Sequence, residues 1–240
     1  MKTINLYIIL IALLSTQCSQ EGKLNDKQIL TEKNKSTFPI IIQYDAQPFD
    51  IVNEYWLNDG QHKPLFFGTY SDTIHLNRQA YSNFDQHEFS SEEIVADSNF
   101  RWVPAEYAQL EIQIDTSQII SNNGKKSFPV LITNKSPEFA IIGVGFYISI
   151  FAEAINKEGK WQPIEELSRY ICGTGLESTL IAPNESVLTT QNIYSGPFKT
   201  KLRLRIGNSY SPEFYGFINA TQFESEWNEN GSSKTLPNSS

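Results

Sequence analysis

The chain has 240 residues, 40% of them hydrophobic and 12% aromatic, with 19 Lys and Arg against 27 Asp and Glu for a net charge of −8. This apolar content, with only 19% charged residues, suffices for a buried core and excludes global disorder. The acid excess excludes a nucleic-acid binder held by counterion release, two cysteines exclude a disulfide scaffold, and a mean hydropathy of −0.35 with one long apolar run excludes a polytopic membrane protein.

Lys2 precedes an almost wholly apolar stretch over residues 4–14, followed by Ser15-Thr16-Gln17 and Cys18. The stretch is shorter than the about 20 residues a spanning helix needs and has the order of a signal peptide, so residues 1–17 are expected to be one. The charged start, the apolar run, the cysteine and the polar Ser19-Gln20-Glu21 together resemble a bacterial lipoprotein signal, with Ser15 and Gln17 standing where the usual pattern has an aliphatic and a small residue. The resemblance implies a lipid-modified Cys18 and attachment to a bacterial membrane, periplasmic or at the cell surface. Residues 18–37 are polar and read as a flexible tether. At about 3.3–3.6 Å per residue it reaches roughly 60 Å. Residues 227–240 read as a disordered tail.

From 38 to 223 the apolar residues recur with period two, punctuated by turn chemistry and without an amphipathic helix, which predicts an all-β fold. In chain order, strands are expected over 38–44, 65–70, 73–78, 108–115, 128–133, 141–150, 151–155, 160–164, 178–182, 186–190 and 199–206. In 108–115, Ala108, Leu110, Ile112 and Ile114 face one way and Gln109, Glu111, Gln113 and Asp115 the other, so one face is core and one is wet. Asn156-Lys157-Glu158-Gly159 predicts a hairpin turn, and Pro183-Asn184-Glu185 another turn. In 199–206, Leu202, Leu204 and Ile206 point inward and Lys199, Lys201, Arg203 and Arg205 outward. Residues 122–126, polar and glycine-containing, are expected to divide a smaller N-terminal β region, 38–121, from a β-sandwich over 125–226 that folds alone.

The run Phe128-Pro-Val-Leu-Ile-Thr-Asn134, the long apolar strand and hairpin after it, Leu180-Ile-Ala-Pro-Asn-Glu185 and Lys201-Leu-Arg-Leu-Arg205 resemble an immunoglobulin or fibronectin-type module of bacterial envelope proteins. The resemblance implies an immunoglobulin-like β-sandwich in the C-terminal half and an envelope location, and it carries no activity.

Chemical templates mostly fail. His62, His75 and His87 form no His-x-His, His-Glu-x-x-His or related metal spacing, and no metal or cofactor is expected. His75, between Ile74 and Leu76, belongs on a solvent face. No Gly-x-Ser-x-Gly elbow, Ser-x-x-Lys pair or P-loop occurs. The doublets Glu92-Glu93 and Glu165-Glu166 read as solvated charges, because adjacent strand residues face opposite sides. Cys172, beside Gly173 and Gly175, reads as a reactive thiol, an intermolecular disulfide, a ligand loop of glycine N–H groups or a half-buried structural cysteine. Lys199, Lys201, Arg203 and Arg205 stand about 7 Å apart in a line, as a solvated outer face, a guarded edge, or a site for an acidic polysaccharide, lipid headgroups or a partner protein. The expectation is a lipid-anchored cell-envelope protein with a non-catalytic binding or structural role, not an enzyme. Its partners are the membrane through Cys18 and an envelope protein or anionic glycan. The alternative is a loop-built exported hydrolase or a thiol enzyme using Cys172.

Overall fold

A strand covered on one face alternates apolar and polar residues, whereas a strand covered on both reads as a continuous buried run. Both kinds occur in the computed structural model, which describes residues 38–43, 62–76, 87–89, 101–122, 125–145, 147–165 and 177–224. The chain is all-β. Its elements are β1 (Ile40–Gln43), β2 (Phe66–Thr69), β3 (Thr73–Leu76), β4 (Glu88–Phe89), β5 (Trp102–Pro104), β6 (Leu110–Ile114), β7 (Ile120–Asn122), β8 (Lys125–Asn134), β9 (Phe139–Val144), β10 (Tyr147–Ile148), β11 (Phe151–Ile155), β12 (Trp161–Pro163), β13 (Ser178–Ile181), β14 (Glu185–Asn192), β15 (Phe198–Ile206), β16 (Ser209–Tyr210) and β17 (Phe214–Ile218). A 3₁₀ turn at Ala220–Glu224 follows.

The first sheet runs β2-β14-β8-β6 with β7 also on β8, the second β10-β9-β13-β4 with β5 on β9, and the third β12-β11-β15-β16 with β17 also on β15. β1 and β3 form a separate parallel pair. The main core lies among the three larger sheets, with Ile112, Val130, Ile132 and Val187 from the first, Ala140, Ile142, Ile148 and Ile181 from the second, and Ala152, Leu202, Leu204 and Ile206 from the third. Leu131 and Leu188 leave the opposite face of β8 and β14 and pack with Phe38, Leu65, Ile74 and Leu76 in a second cluster. Both faces of these two strands are therefore covered, and both carry long uninterrupted buried runs. β6 and β15, wet on one side, alternate as their sequences predict.

Pro129 sits inside the central strand β8 without breaking it, because β6 ends opposite Val130 and β7 begins opposite Ser127. The missing N–H falls in the gap between those two neighbours, where a proline costs least.

The hairpin expected at 156–159 forms, with β11 and β12 paired and Gly159 at φ 76°. Asn184 turns the chain between β13 and β14 at φ 61°. Residues 141–150, expected as one strand, split into β9 and β10. β10 folds back on β9 with Ile148 opposite Gly143, and a side chain at Gly143 would lie 1.9 Å from the Tyr147 carbonyl oxygen.

The boundary expected at 122–126 is instead a hairpin. β7 and β8 pair in antiparallel register with Asn122 opposite Lys125. The smaller β region expected over 38–121 also has no sheet of its own among the described residues beyond β1–β3, because β2, β4, β5 and β6 pair with β14, β13, β9 and β8. Polar, glycine-bearing sequence serves a linker and a turn equally well, and only the pairing distinguishes them.

Candidate binding face and buried carboxylate clusters

Alternation puts Lys199, Lys201, Arg203 and Arg205 on the face of β15 away from the core, and the register sets their neighbours. Phe217 lies opposite Lys199 and Tyr215 opposite Lys201, Tyr210 and Phe151 opposite Arg205, Glu153 opposite Arg203, and Trp161 is carried alongside on β12 opposite Ile155. Five aromatic rings thus share one sheet face with four cations and the carboxylate of Glu153.

The two halves of this face differ. Glu153 is only 4% exposed, and Arg203 holds its Oε2 through Nε at 2.7 Å and a terminal nitrogen at 2.6 Å, while Arg205 reaches Oε1 at 3.3 Å. The Arg203 guanidinium lies 4.3 Å from the Trp161 ring and 4.0 Å from the Tyr210 ring, and Arg205 also donates to the Gly207 carbonyl at 2.9 Å. Guanidinium suits such a place because it stacks on rings while its fork grips a carboxylate. The solvated outer row expected for Arg203 and Arg205 is therefore a clamp on a buried acid. Sequence reasoning missed it because Glu153 lies 50 residues from Arg203.

At the other end, Lys201 pairs with exposed Glu213 at 2.8 Å. Lys199 is exposed and lies 5.5 Å from the centre of the Tyr215 ring and 5.9 Å from that of Phe217, and among the described residues no carboxylate pairs with it. Tyr215 and Phe217 are 66% and 51% exposed. This end is an open cation–aromatic surface.

A second cluster lies inside. Glu165, two residues after β12, accepts from His62 Nε2 at 3.0 Å and the Ala152 N–H at 2.7 Å through Oε2, and from Gln191 Nε2 at 2.8 Å and the Tyr194 hydroxyl through Oε1. Burial alone would raise its pKa, but the charge of His62 and hydrogen bonds from His62, Gln191 and Tyr194 outweigh it and hold the carboxyl down at about 2. The other His62 nitrogen, Nδ1, faces the Thr190 carbonyl at 3.1 Å. Both ring nitrogens of His62 therefore face oxygen atoms. Through these four donors the Glu165 carboxylate ties β11, β14 and the segment before β2 together. The solvated reading of Glu165 is corrected. His62 matched no motif, and the only local sign of its special place is a positive φ of 61°, which a sequence does not display. His87 and Glu185 pair at 2.8 Å with the His87 ring stacked on Phe67. His75 is exposed between buried Ile74 and Leu76, as its alternation predicts.

Cys18, Cys172, Gly173, Gly175, Glu92, Glu93 and Glu166, with the expected signal peptide, tether and tail, lie outside the described residues. Among the described residues no group of three or more His, Cys, Asp or Glu side chains is placed to hold a metal ion, and no helix is long and apolar enough to cross a membrane. No protein-family model, curated protein or solved structure matches the chain.

Proposed function

We propose that this chain is an exported protein, lipid-anchored at Cys18 to a bacterial membrane, whose immunoglobulin-like sandwich binds a polyanionic envelope partner without catalysis. The observation that carries the binding role is the outer face of the third sheet, where Lys199, Lys201, Arg203 and Arg205 stand among five aromatic rings on a protein of net charge −8. A charged row among rings, concentrated on one face against the overall sign, is a local attractor for anions.

The sandwich reading draws support from topology. What supports it is the strand order, β6-β8-β14 in one sheet and β12-β11-β15-β17 in another, which parallels the A-B-E and C′-C-F-G orders of an immunoglobulin sandwich. The anchor rests on the order of residues around Cys18.

Two measurements test the proposal. Membrane-extracted protein should carry an acyl mass on Cys18, and Cys18→Ser should move it to the soluble fraction; soluble, unmodified wild type refutes the anchor. The Cys18→Ser chain should be retained on immobilised heparin at low salt and released as salt screens the contact. Passage through the column unretarded refutes the binding role.

A further inference from the structure

We infer that the partner is an acidic polysaccharide and that it is read at one end of the face, by Lys199 with Tyr215 and Phe217. This rests on the binding-face proposal and narrows it to a subsite and a ligand class.

The four cations are not equivalent. Arg203 and Arg205 share the buried carboxylate of Glu153, and Lys201 has Glu213 at 2.8 Å. A ligand anion approaching any of these competes with a carboxylate already in place. Among the described residues Lys199 is held only by the faces of Tyr215 and Phe217, so an anion reaching its ammonium displaces no carboxylate described there. The cross-strand register places both rings against the strand that carries it. They are also among the most exposed large apolar side chains described. Charge and exposed ring area therefore converge at this end of the sheet.

The same juxtaposition selects the ligand. A uronate or sulfated sugar carries its anion directly on a saturated ring, and the C–H face of that ring matches an aromatic ring in size. When the anion meets Nζ, the sugar ring comes down on Tyr215 or Phe217, and both contacts form at once. An Asp or Glu side chain carries its carboxylate on a flexible stem and leaves the rings uncovered. A bilayer is broader than the cation row, and would bring its anionic surface against the half-exposed Glu213 beside Lys201. It would also meet the rest of an acidic protein within a Debye length of about 8 Å. A polysaccharide strand is narrow enough to follow the row alone.

The experiment uses the full chain carrying Cys18→Ser, with an oligogalacturonate as the probe and its methyl ester as the uncharged counterpart. Lys199→Gln should weaken oligogalacturonate binding about tenfold, as expected for loss of one charge-assisted contact, and should leave the weaker binding of the ester nearly unchanged. Tyr215→Ala and Phe217→Ala should each weaken both ligands about fivefold. Lys135→Gln, a cation just after the end of β8 that pairs with Glu111, should have no effect. All these positions face solvent, and matching thermal transitions confirm that the variants are folded. If the wild-type face binds oligogalacturonate but the Lys199, Tyr215 and Phe217 variants bind equally well, the subsite is wrong while the binding face stands. If anionic vesicles or a single-stranded oligonucleotide bind more tightly than oligogalacturonate with the same variant pattern, the ligand class is wrong. If nothing polyanionic binds the wild type, the binding-face proposal itself fails.

Discussion

Replacing Arg203 by Gln would be close to neutral if the residue only faced solvent, since exposed substitutions usually fall within about 0.5 kcal/mol. The structure leads to a different number. Glu153 is 4% exposed and receives two of its contacts from Arg203, with Arg205 farther away at 3.3 Å. Removing one partner of a buried ion pair costs about 3–5 kcal/mol, because the other charge stays buried and uncompensated. Two facts reduce this here. Arg203 is itself 21% exposed, and Arg205 remains as a counter-charge. The stacking of Arg203 between Trp161 and Tyr210 is also lost, worth about 0.5–1 kcal/mol at an exposed site. The expected destabilisation is about 2 kcal/mol, and for a folded unit of this size it lowers Tm by about 6 °C. Thermal unfolding followed by near-ultraviolet circular dichroism reads this directly. Glu153→Gln should cost less, since two partly exposed guanidinium groups can turn to water, and the Arg203→Gln/Glu153→Gln double variant should be less destabilised than the sum of the singles. A Tm within about 1 °C of wild type for Arg203→Gln, or strict additivity in the cycle, refutes the clamp.

Glu165 makes the acid limb of stability steep. Its folded pKa lies near 2, below the ordinary 4.5, so its contribution is fully present above pH 4.5 and is lost as pH falls toward 2, about 3 kcal/mol in all; Glu185, lowered as well against the opposing effect of burial by His87 and the Ala182 N–H, acts in the same direction. Glu165→Gln should flatten Tm against pH between 2 and 4.5, and a slope equal to that of wild type counts against the cluster. Gly207→Ala should cost about 3 kcal/mol or more by urea unfolding, since φ is 54° and the new methyl would meet the Ala105 carbonyl at 2.4 Å; a loss under about 0.5 kcal/mol would show that the β15–β16 turn relaxes freely. A truncated chain of residues 125–226 should lack a cooperative thermal transition, because it strips β6 and β7 from β8 and β2 from β14, and a sharp transition would show that these strands are dispensable.

Much of the fold class was legible locally. In β6 and β15 the period-two pattern names the residues that turn inward, because alternation is a property of the strand itself and needs no knowledge of its partner. The outward placement of Lys199, Lys201, Arg203 and Arg205 followed from the same rule, and the hairpin at Gly159 followed from local turn chemistry. β4, β5 and β16, two or three residues long, are too short to show a period. They are strands because a neighbour supplies their hydrogen bonds.

What tertiary structure decided was every relation across the chain. The continuous apolar runs of β8 and β14 are compatible with many arrangements, and only the second cluster, with Phe38, Ile74 and Leu76, explains why both faces are buried. Arg203 finds Glu153 across 50 residues and His62 finds Glu165 across 103. Each of these side chains taken alone reads as an ordinary surface charge. A charge becomes a clamp or a tie only when folding removes water from around it and puts its counter-charge within reach, and neither condition is written in the residues on either side of it.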